Sequence, residues 1–286
     1  MDAPPEQEDC TPFVRIAAQL EAMQINAPRV IEANIEQGFL LLTDLGSRLY
    51  LAELTARPES ASQLYSNAMR VLATLQQNGV AYQSSLPPYD EKLLRFELSL
   101  FHDWLCEAHI GMTFSADDEA QWQALCQVLV TNALDQTQVY VHRDFHSRNL
   151  MWNESDDPGV LDFQDAVEGP YTYDLVSLLK DCYVRWPAAQ VLEWASAFYA
   201  MLDNESRAHA DESVFLRQFE LMGVQRHLKA AGIFARLNHR DGKPGYMADI
   251  PRTLSYIAEL SPRYDELRFV NRLIEDKCLP ALQGLS

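Results

Sequence analysis

Apolar residues recur at helical spacing along most of this chain, and strand-like runs are few and short. Phe13, Ile16, Ala17, Leu20 and Met23 follow a Thr11 and Pro12 start signal, which predicts an amphipathic helix over residues 12–23. Residues 29–35 and 38–42 read as two strands joined by a turn at Glu36, Gln37 and Gly38. From Arg48 the helical spacing returns. Leu64, Tyr65, Ala68, Val71, Leu72 and Leu75 share one face over residues 60–77, with Asn78 and Gly79 as the stop signal. Residues 91–109 present Leu94, Leu98, Phe101, Trp104 and Leu105, and residues 117–134 present Trp122, Leu125, Val128 and Leu129. The last third predicts a helix over 215–234 and then a polar, turn-rich loop over 238–246. These aliphatic and aromatic stripes are read as core.

One stretch interrupts the helical pattern. Residues 138–141 and 150–152 are strand-like, residues 153–159 are a turn cluster, and Val160 and Leu161 begin a return strand. Such a ribbon carries Asn149 and Asp162 to the same end, beside Asp144. Phosphoryl transfer needs a carboxylate to orient and deprotonate a hydroxyl, and hard oxygen ligands for magnesium on the phosphates. Asp144 suits the first task, and Asn149 and Asp162 suit the second. Two plainer readings compete: a turn rich in hydrogen-bonding residues, and a zinc pair from His142 and His146. The ordered set argues against the first, and the loop context without a nearby cysteine argues against the second. Asp165 is a second carboxylate placed for the metal or substrate. Gly169 and Pro170 mark a turn, and Asp174 stands near the start of a helix expected to reach about residue 184. Arg226 and Lys229 put two cations on one helix face, and Gln225 joins Lys229 on an adjoining one. They suit an anion site near the acceptor, or simply an exposed charged helix.

The chain holds 23 Lys and Arg against 41 Asp and Glu, a formal charge of −18 over 286 residues. That balance disfavours nucleic acid and anionic membrane as partners, since both need a basic surface. Cys10, Cys106, Cys126, Cys182 and Cys278 are scattered and odd in number, which reads as reduced thiols. The acidic, proline-bearing start does not read as a secretory leader, and a cytoplasmic location is expected.

The string HRDFHSRN over residues 142–149, followed by DFQ over 162–164, resembles the catalytic and metal loops of the protein-kinase-like superfamily. Together with residues 43–46, which resemble the hinge of small-molecule kinases, it looks like the aminoglycoside phosphotransferase and choline kinase branch. YVHRDFHSRNLM over 140–151, GVQRHLKAAGIFARL over 223–237 and residues 246–254 are similar to the bacterial anomeric kinases of N-acetylmuramate and N-acetylglucosamine. The resemblance implies an α+β, protein-kinase-like fold. It divides the chain into a truncated small N-lobe over 1–42 (a helix and a β-hairpin), a hinge over 43–46, and a large, mainly helical C-lobe over 47–286. It implies ATP and magnesium as cofactors, with backbone groups of Thr43, Asp44 and Leu45 reading the nucleotide.

By the same resemblance Asp144 orients and deprotonates the C1 hydroxyl, Asn149 and Asp162 hold magnesium, and His142 fixes the loop. Arg143 or Arg148 offsets developing charge and Asp174 braces the loop from behind, while Asp165, Gln225, Arg226 and Lys229, read from their side chains, are the candidate substrate residues. The expected partners are a small sugar and ATP, and the expected role is recycling of cell-wall sugars. A kinase for another hydroxylated metabolite or an aminoglycoside is the alternative enzyme. No Gly-x-Gly-x-x-Gly precedes the hinge and no lysine precedes Lys92, so the small lobe is expected to be incomplete. A nucleotide-binding pseudokinase is therefore the alternative from another class.

Overall fold

Helices carry most of the chain, as the spacing predicts, and among the described residues the strands come in three short pairs. A computed structural model describes residues 1–6, 9–154, 156–203, 207 and 210–284. In chain order the elements are α1 (Thr11–Ala22), β1 (Val30–Asn34), β2 (Phe39–Leu42), α2 (Tyr50–Ala56), α3 (Ala61–Gly79), α4 (Glu91–Leu100), α5 (Ala116–Leu134), β3 (Gln138–Val141), β4 (Leu150–Met151), β5 (Gly159–Val160) and β6 (Val167–Pro170). There follow α6 (Tyr173–Leu179), α7 (Ala188–Met201), α8 (Glu212–Asp241), α9 (Ile250–Leu260), α10 (Arg268–Leu273) and α11 (Leu279–Gly284). Ser155, inside the expected turn between β4 and β5, lies outside the described residues. No helix among the described residues is long and apolar enough to cross a membrane.

The chain forms two compact units, Met1–Pro88 with Thr137–Phe215, and Tyr89–Gln136 with Leu216–Ser286. In the first, α1 buries Phe13, Ile16, Ala17 and Leu20, the face its spacing marks. The β1–β2 hairpin is antiparallel, and residues 1–3 pair along β2 through Ala3 N–H to the Gly38 carbonyl and Leu40 N–H to the Met1 carbonyl. Gly79 is the last residue of α3, where the stop signal puts it. It faces Tyr140 on β3, where an added Cβ would fall 2.4 Å from the Tyr140 Cβ. Helix α6 ends at Leu179, short of the expected residue 184, because the chain turns there and commits Asp181 to Ser147. Residues 1–42 supply the expected helix and hairpin and, with residues 43–46, belong wholly to this unit.

The second unit is helical. Asp90 caps α4 by accepting from Leu93 N–H, and Ser115 and Asp118 form a reciprocal capping box on α5. Residues 101–109 are helical as expected, but Phe101–His109 is a π-helix. It begins where Gly232 of α8 meets the backbone of Leu100 and Phe101; a Cβ on Gly232 would fall 2.3 Å from the Leu100 carbonyl carbon. Helix α8 runs on to Asp241, so residues 238–241, expected as loop, complete its last turn. His239 and Arg240 there complement the carbonyl end, and the break comes at Gly242, with φ of 64°.

Since the atoms facing Gly232 are backbone and cannot swing aside, Gly232→Ala is expected to lower the unfolding free energy by about 3 kcal/mol. Urea unfolding checks this, and an unchanged midpoint would contradict the close approach.

Candidate active site

Strand β3 delivers the chain into the loop over residues 142–149, and β4 receives it. Strand β3 is pinned by β6 (Val139 opposite Gly169, Val141 opposite Val167), and β4 by β5 (Leu150 opposite Val160). One further backbone bond, Leu161 N–H to the Asn149 carbonyl at 2.9 Å, extends the second pair. Asn149 and Asp162 are thereby brought to one end of the ribbon. The Asn149 amide lies 3.1 Å from the Asp162 carboxylate and donates to the Asp144 carbonyl, also at 3.1 Å. The structure thus brings together the three positions that spacing alone had suggested.

Two of these turns hold unusual backbone. Arg143 has φ of 77° and Asp162 φ of 62°, a region that costs a non-glycine residue on the order of 1–3 kcal/mol. At Arg143 the buried Asp174 offsets the cost, its two oxygens accepting His142 N–H at 2.7 Å and Arg143 N–H at 2.9 Å. Asp174 therefore braces the loop from behind. At Asp162 the next residue, Phe163, is buried against Phe13 with ring centroids 4.7 Å apart.

His142 is a buried strut. Its Nε2 lies 3.0 Å from the Leu161 carbonyl, which can only accept, so Nε2 carries the proton. Nδ1 is then bare and accepts the Asp144 backbone N–H at 3.2 Å. Both nitrogens are spent on the loop, which removes the zinc reading. Burial holds this imidazole neutral, pushing its pKa down to about 4 against the opposing pull of Asp144 and Asp162. The Asp144 carboxylate itself is 42% exposed, with His146 Nε2 at 4.0 Å.

Asn149 and Asp162 offer an amide and a carboxylate side by side, hard oxygen donors of the kind magnesium takes. The Asn149 nitrogen facing Asp162 would have to turn its oxygen inward, and Gln164, donating to Asp162 at 3.0 Å, would have to share that carboxylate. Both are side-chain rotations, so the donor set fits the ion. Asp165 and Asp9 join Asp162, Gln164 and Phe13 around a cleft of about 510 Å³. Asp9 was not expected there, and nothing in its local sequence marks it.

The hinge-like residues sit close to this ribbon. Leu45 packs on Gly159 of β5, where a Cβ would meet the Leu45 side chain at 2.8 Å. Thr43 exchanges hydrogen bonds with Arg29, and Asp44 accepts Gly46 N–H at 2.8 Å. Arg148 is exposed and lies over the Tyr183 ring, 4.6 Å from its centroid. Gln225 and Lys229 correct an expectation: they are not an open cationic patch. Gln225 is fully buried and donates to Tyr89 and Glu97, and the Lys229 ammonium lies 3.2 Å from Glu97, all within the helical unit. Arg226 is buried in the same helix.

A base on a rigid loop beside two oxygen donors is what phosphoryl transfer asks of a protein, and the class is a kinase-like phosphotransferase. The chain belongs to the phosphotransferase enzyme family, whose model matches residues 1–212. It is similar to the N-acetylmuramate/N-acetylglucosamine kinase of Pseudomonas aeruginosa, 45% identical over 279 residues that span 96% of this chain and 80% of that protein. The protein of the same description from Pseudomonas putida is 44% identical over 277 residues, with the same shares covered. Among solved structures, the ADP-bound aminoglycoside phosphotransferase APH(2'')-Ib matches with a TM-score of 0.57 at 14% identity, over 87% of this chain and 81% of that one. That likeness shows the fold: α+β and protein-kinase-like, as expected.

The buried, neutral His142 sets a pH dependence. The unfolded chain takes a proton here below about pH 6.5, and the folded chain does so only near pH 4, so the unfolded state binds more protons between those values. Stability is therefore expected to fall as pH drops through that window, by on the order of 3 kcal/mol from this residue. His142→Asn should lose that part of the slope. Urea midpoints measured above and within the window check it.

Proposed function

We propose that the chain transfers a phosphoryl group from ATP to the anomeric hydroxyl of N-acetylmuramate or N-acetylglucosamine. Identity of 45% over 96% of the chain to a kinase of that description carries the choice of acceptor. The arrangement of Asp144, Asn149 and Asp162 supports the chemistry.

In this reading Asp144 accepts the proton of the attacking hydroxyl as the new oxygen–phosphorus bond forms and the bond to the leaving diphosphate breaks. The anomeric hydroxyl is more acidic than an ordinary alcohol, so a half-exposed carboxylate is a sufficient base. His142 and Asp174 touch no reactant; they hold the backbone from which Asp144 projects. Magnesium, held by Asn149 and Asp162, would neutralise phosphate charge when bound. Arg148, stacked on Tyr183, is the nearby cation for charge that develops during transfer. Backbone groups of Thr43, Asp44 and Leu45 read the base of the nucleotide, with residues 1–42 as the small lobe and 47–286 as the large one. Asp165 faces the acceptor or the metal-bound phosphates. Gln225 and Lys229 serve the fold through Glu97.

Asp144→Asn is expected to keep nucleotide affinity and lower turnover by about 10²–10⁴, the range for positioned acid–base help. Asp162→Ala should instead abolish magnesium-dependent nucleotide binding, read by calorimetry. Turnover of Asp144→Asn equal to the parent's would remove Asp144 as the base. Phosphorus NMR of the product decides the hydroxyl: an anomeric phosphate couples to H1, and a phosphate at any other position does not.

A further inference from the structure

The loop over residues 142–149 is fastened at its entry by Asp174, on His142 and Arg143, but Ser147, four residues beyond Arg143 and two before Asn149, has a separate fastening. Ser147 is 1% exposed and each of its polar groups is engaged. Its N–H donates to Asp181 at 3.0 Å, its hydroxyl donates to the same carboxylate oxygen at 2.5 Å, and its carbonyl accepts Leu51 N–H of α2 at 2.9 Å. Asp181 is itself 1% exposed, and its second oxygen accepts Tyr183 N–H at 2.9 Å. The Tyr183 ring, so placed, lies beneath the Arg148 guanidinium and edge-on to His146, with ring centroids 5.5 Å apart.

One buried carboxylate thus holds both the backbone two residues before Asn149 and the aromatic shelf on which Arg148 rests. We propose that Asp181 is a positioning residue for the metal-binding half of the loop, acting through Ser147 and Tyr183, as Asp174 acts on the half that carries Asp144. This rests on the phosphotransferase reading above. The division of labour follows from the contacts. Asp174 reaches His142 and Arg143, whereas Asp181 reaches Ser147 and Tyr183. One carboxylate in the first turn of α6 and one just beyond its last residue fix two ends of one loop, so weakening one end is expected to leave the other in place. Leu51 adds a third tie, joining Ser147 to the helix that follows the hinge-like residues.

The test is Asp181→Asn, which keeps size but presents an amide nitrogen where one of the two accepting oxygens stood. Amide hydrogen exchange on the ligand-free protein is expected to speed up at Ser147, Asn149 or Tyr183 by about tenfold or more, the worth of a lost charge-assisted bond. His142 and Arg143, held by Asp174, should keep the parent's protection. The magnesium concentration for half-maximal nucleotide binding should rise by about 10–100-fold, the usual effect of removing a residue that orients a metal ligand.

Ser147→Ala removes the hydroxyl contact alone and should show the same pattern more weakly; it carries the test should Asp181→Asn not fold. A uniform loss of protection over residues 142–149, or a lowered melting temperature with the parent's exchange pattern and magnesium dependence, would reduce Asp181 to a structural role and overturn the proposal. A parent protein that phosphorylates neither amino sugar would sink the acceptor assignment instead, and would leave the exchange and magnesium measurements to decide this one.

Discussion

Two short hydrogen bonds from backbone N–H groups to the Asp174 carboxylate hold the site in shape. Without them Arg143 would relax out of its left-handed conformation, and a loop that leaves β3 in that direction would leave it in another. The first bond is buried and the second partly so, and hydrogen bonds accepted by a carboxylate are among the stronger kinds. His142 then ties the same turn to the Leu161 carbonyl, so the strand returning toward Asp162 and the strand departing toward Asp144 are fixed against a common post. The chemistry asks for little covalent help and much positioning. Buried polar groups that are fully engaged meet that demand, because each can leave its place only by exposing an unsatisfied partner.

The overall electrostatics sit around this frame. A chain with formal charge −18 handling a polyanion has to match charge locally, and its exposed Arg148 lies above an aromatic ring beside the loop. Elsewhere two buried carboxylates gather polar and cationic partners. Glu97 gathers Tyr89, Gln225 and Lys229 into one buried set, and Glu53 holds Arg48 and Arg57. A buried carboxylate with its partners in place is tolerable, and removal of one partner is costly, so such groups mark positions that resist substitution.

The sequence made the centre of the site legible because its information is local. Asp144, Asn149 and Asp162 lie on one loop and one hairpin, and strand and turn chemistry was enough to converge them. Helix faces were legible for the same reason, as Phe13, Ile16 and Leu20 show. What escaped depends on contacts between distant positions. Gly79 does end α3, but its close approach to Tyr140 is not marked locally, and α6 stops early because Asp181 is drawn to Ser147, thirty-four residues away. Lys229 looks like a free cation until Glu97 is found beside it. Periodicity has no access to such pairings, since it records which face is apolar and not what a polar group on that face will meet.

The widened turns of Phe101–His109 have a consequence for how this chain tolerates changes in length. A π-helix closes i→i+5 bonds where an α-helix closes i→i+4, so it stores extra chain over the same axial distance. Loss of one residue within that segment could be absorbed by tightening toward α geometry, with the Asp90 cap before it and the Ser115 box after it left in register. The same loss in the middle of α8 would turn every following side chain by about 100° and carry Gly232 away from the backbone it accommodates. Single-residue gaps among relatives should therefore gather at the first helix and avoid the second.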